Sequence, residues 1–92
     1  MAKLKPEEVM ACLARVPHWT RRSAVISRTF AFRDFAAAMK FVNAVARLAE
    51  KAGHHPDIDI RWNRVTLSLT THDEGGLTSR DFDLAARIDR LG

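Results

Sequence analysis

Histidine is the residue type with the clearest capacity for chemistry in this chain, and three of the four histidines, His54, His55 and His72, lie within residues 50–77. An imidazole exchanges a proton near neutral pH, so it can serve as an acid or as a base. His54 and His55 are adjacent, and Pro56 restricts the residue before it to extended geometry. Neighbouring side chains of an extended segment point to opposite sides, so we expect one ring to do chemistry while the other orients or binds.

His72 is predicted at the end of the second strand of a hairpin, on its polar face. The hairpin would return that end to the neighbourhood of His54 and His55, and three interpretations of such a cluster stay open. The first is acid–base catalysis on a neutral ligand. The second is a three-histidine metal site, although the chain lacks a helical His-x-x-x-His pair. In the third, His54 and His55 are exposed loop residues and His72 forms a structural hydrogen bond.

Three charged residues flank these histidines. Glu50 precedes His54 by one helical turn, and its carboxylate could orient a histidine or an NH group of a ligand, or simply be solvated. Arg80 and Asp81 follow the glycine loop Gly75-Gly76, at a predicted helix start. They could form a helix cap and a surface pair, or line the same pocket.

Length and composition limit the class of protein that this chain can be. The 92 residues suffice for one domain spanning 1–92, and Cys12, the single cysteine, excludes an internal disulfide. The net charge is +4, but the basic residues are scattered and stand beside acids, so we expect no nucleic-acid partner. The sequence has no apolar run long enough for a membrane span and no signal peptide, so we expect no membrane association and a cytoplasmic protein.

Two periodicities in the sequence predict the elements that position the histidines. Apolar and polar residues alternate in three segments, whereas apolar residues recur at helical spacing between 35 and 49. The predicted elements, in order, are a helix over 6–16, a short strand or turn over 18–22, a strand over 23–32, a helix over 34–52 capped by Gly53, a strand over 57–62, a turn at Asn63 and Arg64, a strand over 65–71, and a last helix capped by Thr78 and Asp81.

The short turns between these strands favour an antiparallel sheet. We therefore predict an α+β two-layer sandwich, a four-stranded antiparallel sheet with three helices packed on one face, in the order α-β-β-α-β-β-α. Trp19 and Trp62 are expected in the core, while Arg28 interrupts an apolar face and should lie near an edge or contact an acid. The broad apolar face of the long helix predicts a second subunit, and the sheet edges are open to self-association.

Several segments, taken together, resemble the pterin-4a-carbinolamine dehydratase family. The similarity extends over nearly the whole chain, and the combination of His-His-Pro with a downstream Thr-His and Gly-Leu is specific. The segments that carry the resemblance are 50–56, 62–65, 69–78 and Asp81, with Trp19, 30–35 and Phe41 upstream. The chain departs from some members at Gly53, where they have aspartate, and at Ile58, where they have tryptophan.

The resemblance implies a fold like the one predicted and a hydro-lyase activity. Family members dehydrate 4a-hydroxytetrahydropterin to quinonoid dihydropterin, recycle the cofactor of aromatic amino-acid hydroxylases, use no metal or added cofactor, and form homodimers or homotetramers. By position, the active-site histidines are His54, His55 and His72, and the substrate-binding residues are Glu50, His54, His55, Pro56, Thr71, His72, Asp73, Glu74, Arg80 and Asp81.

Loss of water from a carbinolamine requires a proton on the departing hydroxyl and removal of the N5 proton. We expect His54 to be the main acid–base group, His72 to assist or to serve the opposite hydroxyl stereoisomer, and His55 and Glu50 to hold the ring. The alternative is a non-catalytic binding module on the same scaffold, an assembly chaperone or a transcription coactivator. Such a module would be expected to lose the histidines that this chain keeps.

Overall fold

The computed structural model describes residues 2–91 and confirms the predicted architecture. Four antiparallel strands form one sheet in the spatial order β1-β2-β4-β3, and the helices pack against it around one apolar core. No helix within residues 2–91 has the length and apolar character needed to cross a membrane. The elements are α1 (Pro6–Leu13), β1 (Thr20–Arg22), β2 (Val25–Ala31), α2 (Phe35–Ala52), β3 (Asp57–Arg61), β4 (Arg64–Leu69) and α3 (Ser79–Asp89).

Both ends of the long helix α2 follow from local sequence. The Asp34 side chain accepts a hydrogen bond from the Ala37 N–H at 2.8 Å and caps the start. Gly53 adopts a left-handed conformation at φ 63°, as predicted for a C-terminal glycine. The next N–H group, that of His54, donates back to the Ala49 carbonyl at 3.1 Å. The chain therefore reverses at the helix end, and this reversal fixes the place where His54 leaves α2.

The β3–β4 hairpin turns one residue earlier than predicted. Arg61 pairs with Arg64, so Trp62 and Asn63 form the turn, and Trp62 is the residue with positive φ, at 49°. Asn63 exchanges hydrogen bonds with Phe32, donating from its side chain and accepting at its carbonyl, which holds it at the end of β2. Trp62 is consequently 67% exposed, and its predicted place in the core is wrong, whereas Trp19 is buried as expected.

All four strands are shorter than predicted, and α1 ends at Leu13 rather than at residue 16. β2 begins at Val25 because Ser23, at φ 55°, lies in the turn that joins it to β1. β4 ends at Leu69; beyond it Thr71 forms an isolated bridge with Gly76, and residues His72–Glu74 make one turn of 3₁₀ helix. His72 therefore lies in a turn after the strand rather than at the strand end.

Arg28 reaches an acid, which resolves the two alternatives left by the sequence. Its Nη1 atom lies 2.7 Å from Oδ1 of Asp89, at the end of α3, and the Trp19 indole N–H donates to the same oxygen at 2.8 Å. The guanidinium also stacks 4.2 Å from the centre of the Phe30 ring. This charged residue thus ties the sheet to α3 from within an otherwise apolar face.

Candidate active site

The histidine-rich segments meet in an open cleft where α2 ends, β4 ends and α3 begins. The cleft has a volume of about 260 Å³. Six residues predicted from the sequence, together with Gly53 and Thr70, form its wall. The lining residues are Gly53, His54, His55, Thr70, Thr71, His72, Asp73 and Arg80. The tertiary structure therefore brings all three histidines to one surface feature.

His54 is the buried histidine of this cleft. Its ring Nε2 lies 2.6 Å from Oδ1 of Asp81, and the residue is 8% exposed. Asp81 is fully buried, in the first turn of α3. A carboxylate bonded to one ring nitrogen orients an imidazole and stabilises its protonated form, an arrangement that recurs in acid–base sites.

Asp81 is itself held by two threonines. Its Oδ2 atom accepts from the Thr71 hydroxyl at 2.9 Å and from the Thr78 N–H at 3.0 Å. The two threonine hydroxyl oxygens lie 2.9 Å apart, and both residues are buried. The Thr78 hydroxyl also caps α3 by accepting from the Arg80 N–H, so the predicted cap of Thr78 and Asp81 is confirmed.

A second histidine–carboxylate pair lies on the solvent side. Nε2 of His55 is 2.5 Å from Oε2 of Glu50, one turn back along α2, and both side chains are largely exposed. The two adjacent histidines therefore have different surroundings, as expected for rings that point to opposite sides of the chain. One ring is buried against an acid, and the other stands at the cleft mouth with its carboxylate beside it.

The remaining predicted residues take different places around the cleft. Arg80 is fixed by donation from its Nη2 atom to the Gly53 carbonyl at 3.0 Å, and His72 and Asp73 form an exposed part of the wall. Pro56 and Glu74 neighbour the cleft in the chain without forming its wall. From the sequence, Thr78 was predicted only as a helix cap. Because the same cap includes Asp81, a predicted site residue, the sequence could have indicated that Thr78 lies next to the site.

The arrangement of the histidines bears on the metal-site interpretation. Among residues 2–91, no group of three or more His, Cys, Asp or Glu side chains has the arrangement needed to hold a metal ion. The nearest carboxylates are instead paired singly, Asp81 with His54 and Glu50 with His55. Two separate imidazole–carboxylate pairs at one cleft suit proton exchange with an organic ligand.

Comparison with known proteins points to one family. The family model described as pterin 4 alpha carbinolamine dehydratase matches residues 2–91. A protein of Acidobacterium capsulatum is 58% identical over 91 residues, 99% of either chain, and one of Chloroflexus aurantiacus is 56% identical over 91 residues, 99% of this chain and 98% of its own. Both carry the name "putative pterin-4-alpha-carbinolamine dehydratase".

Two solved structures show how far the same scaffold extends. The crystal structure of a transcriptional coactivator/pterin dehydratase from Brucella melitensis superposes with a TM-score of 0.92, at 33% identity and 97% coverage of both chains. A pterin dehydratase-like protein identified as a RuBisCO assembly factor of the alpha-carboxysome superposes with a TM-score of 0.67, at 28% identity, covering 79% of this chain and 84% of its own. Proteins with this fold are thus described with different roles.

Proposed function

This chain belongs to the pterin-4-alpha-carbinolamine dehydratase family, and from that premise we propose that it dehydrates 4a-hydroxytetrahydropterin to quinonoid dihydropterin and water. The observation that carries the proposal is the buried contact between His54 and Asp81 at a cleft shared with His55 and His72. A cleft of this kind offers one oriented imidazole and two more exposed ones to a planar polar ligand. Membership of the family alone would not specify the chemistry, because folds of this kind also serve other roles.

The reaction needs a proton delivered to the C4a hydroxyl and a proton taken from N5. The hydroxyl leaves as water, and the electron pair of the broken N5–H bond forms the C4a–N5 double bond. His54, oriented by Asp81, is the proposed principal acid–base group, and His72, which lines the same cleft, is proposed to assist it. His55, paired with Glu50, and Arg80 are proposed to hold the pterin ring. The proposed step requires no metal ion and no added cofactor.

We expect the wild-type protein to accelerate the dehydration of synthetic 4a-hydroxytetrahydropterin in stopped-flow absorbance measurements. The acceleration should survive treatment with a metal chelator. The spontaneous reaction provides the baseline rate. A folded protein that leaves this rate unchanged would reject the dehydratase proposal.

The proposed product is a quinonoid dihydropterin, so a functional link to an aromatic amino-acid hydroxylase remains part of the proposal. The cytoplasmic location stays a prediction.

A second candidate function is a non-catalytic binding module. Exposed apolar residues on one side of the molecule favour it, since Ile58, Ile60 and Trp62 are 38%, 37% and 67% exposed. The two solved relatives described as a coactivator/dehydratase and an assembly factor add to its weight. The absence of catalysis in the stopped-flow experiment would select this candidate over the enzyme.

The same exposed residues support self-association as a homodimer or a tetramer built from dimers. β3 is an edge strand, all five of its residues are exposed, and Ile58 and Ile60 continue the apolar face of β4 beyond the cover of the helices. In an antiparallel pairing of two β3 strands about Asp59, Asp57 would lie opposite Arg61. A second copy would therefore satisfy the open edge and cover the isoleucines.

Replacing both Ile58 and Ile60 by lysine is expected to convert the oligomer to smaller species, because four lysines would face one another across each strand pair. Light scattering coupled to size-exclusion chromatography measures the change in mass. Met10→Lys, which alters a more exposed apolar residue on α1, should leave the mass unchanged. An unaltered oligomer in the double variant would remove β3 from the interface.

A further inference from the structure

Behind the cleft, a chain of hydrogen bonds runs from the start of α3 to His54, and its direction is determined by the chemistry of its members. It consists of Thr78, Thr71 and Asp81, all buried, and it ends at His54. A hydroxyl has one hydrogen to donate, and an ionised carboxylate can only accept. These two rules suffice to place every hydrogen in the chain.

The Thr71 hydroxyl donates to Oδ2 of Asp81 at 2.9 Å. Its single hydrogen is then used, so the Thr78 hydroxyl, 2.9 Å away, must be the donor in the contact between the two hydroxyls. The Thr78 oxygen in turn accepts from the Arg80 N–H at 3.3 Å. All bonds therefore point the same way, from the amide at the helix start toward the carboxylate, and bonds in such a series polarise one another.

The surroundings of Asp81 suit a negatively charged acceptor. Its Oδ2 accepts from the Thr71 hydroxyl and the Thr78 N–H, and the residue lies in the first turn of α3, where the helix dipole favours negative charge. The two donors to Oδ2 help to compensate for the burial of the charge. Because a carboxylate cannot donate, the hydrogen in the 2.6 Å contact with His54 must reside on Nε2.

The other ring nitrogen of His54 is then the one with a free lone pair. Nδ1 forms no hydrogen bond within residues 2–91. No buried side-chain nitrogen or oxygen there lacks a hydrogen-bond partner. An unbonded Nδ1 must therefore be reached by solvent, and the small exposed fraction of His54 includes this atom.

We propose that the hydroxyl chain of Thr78 and Thr71 fixes His54 in the Nε2–H tautomer and thereby makes Nδ1 the atom that exchanges a proton with the substrate. Thr71 and Thr78 are in this account positioning residues that act through Asp81. The role of Nδ1 in turnover rests on the proposed dehydratase function, whereas the tautomer does not. Thr71, which the sequence resemblance places among the substrate contacts, also lines the cleft, and its buried hydroxyl donates to Asp81.

Other charged or ionisable side chains also lie around His54. His54 also lines a second cleft, of about 290 Å³, on the side facing the end of α2. The groups on the two sides are His55, His72, Asp73 and Arg80 in the first cleft, and Lys51, Arg80, Asp83 and Arg87 in the second. Asp81 is the one that directly contacts the ring, so the tautomer is set from that side.

Nitrogen-15 NMR of the wild-type protein without ligand tests the tautomer directly. At a pH where His54 is neutral, its Nε2 should show the shift of a protonated, pyrrole-type nitrogen and its Nδ1 that of a bare, pyridine-type nitrogen. The His54 signals are those missing from the spectrum of His54→Gln. The reverse pattern, with the hydrogen on Nδ1, would overturn the proposal whether or not the protein is a dehydratase.

Thr71→Val tests the hydroxyl chain by removing one donor to Asp81 while retaining side-chain volume. We expect a roughly tenfold lower kcat with little change in KM, because a hydrogen bond to a charged group is lost without loss of a ligand contact. With one donor fewer on Asp81, its 2.6 Å contact with His54 should change, so the nitrogen-15 signal of His54 Nε2 should move from its wild-type position. Thr71→Ser restores the donor and should restore both kcat and this signal.

Thr66→Val is the matched control. It breaks another threonine–threonine contact, with Thr29 at 2.8 Å, on the outer face of β4 away from Asp81. Its kinetics and its His54 signals should equal those of the wild type. If Thr71→Val leaves kcat and the His54 signals unchanged, or if Thr71→Ser fails to restore them, the hydroxyl chain does not set the state of His54. If Thr71→Val does not fold, the wild-type spectrum still decides the tautomer.

Discussion

Replacing His54 by glutamine is expected to lower kcat by roughly 10²–10⁴-fold, the usual contribution of a positioned acid–base group, while KM changes little. Glutamine is the informative substitution because its amide nitrogen can take the place of Nε2 and donate to Asp81, which is 2.6 Å from the ring in the native protein. The buried carboxylate then keeps a partner, and the loss measured is that of proton exchange rather than of packing.

Stopped-flow kinetics on 4a-hydroxytetrahydropterin measures this loss, with thermal unfolding by circular dichroism as the check on folding. His18→Gln provides the control, since His18 is an exposed histidine outside the cleft. His54→Ala should show the same fall in kcat with an added loss of stability, because Asp81 loses a partner while buried. A wild-type kcat in well-folded His54→Gln would remove His54 from the chemistry and leave His72 as the principal candidate.

Asp81→Asn is expected to reduce kcat by a comparable factor, up to roughly 10⁴-fold, the loss that follows when the carboxylate that orients a catalytic histidine becomes an amide. Asparagine fills the same space, and its carbonyl oxygen can still accept from the Thr71 hydroxyl and the Thr78 N–H. Its NH₂ group then faces His54, so the ring must accept at Nε2 and carry its hydrogen on Nδ1. The side chain stays in place, but the imidazole is held in the tautomer that cannot accept a proton at Nδ1.

The NMR spectrum of Asp81→Asn should accordingly show the hydrogen of neutral His54 transferred from Nε2 to Nδ1, in parallel with the kinetic loss. Asp83→Asn removes an exposed carboxylate from the same helix with the same change in charge, so it controls for the general electrostatic effect. Equal losses in the two variants would mean that net charge, and not the contact with His54, is responsible. An unchanged tautomer in active Asp81→Asn would contradict the orienting role of Asp81.

The relatives of this chain give these two variants a further use. One solved relative combines coactivator and dehydratase in its description, and another is an assembly factor. A binding role carried by the exposed β3 surface would survive His54→Gln and Asp81→Asn, since both residues lie in the interior beneath the cleft. The two variants therefore separate catalysis at the cleft from any interaction at the sheet edge.

Much of the fold follows from patterns that act over a few residues. Alternating polarity specifies the strands, helical spacing specifies α2, and Gly53 and the Thr78–Asp81 cap specify where two helices end and begin. These features depend on backbone preferences and near neighbours, so the sequence displays them directly. The three histidines were also recognisable as a group, because the hairpin order predicted that their segments would meet.

The tertiary structure alone decided which partners these residues have. His54 and Asp81 are 27 positions apart, and Arg28 and Asp89 are 61 apart, so no periodicity of the sequence connects them. The exposure of Trp62 likewise depends on the register of a hairpin that Asn63 fixes through Phe32. Local sequence determines the elements because their hydrogen bonds and apolar faces are local, whereas the direction of the hydrogen bonds at His54 depends on side chains that only packing brings together.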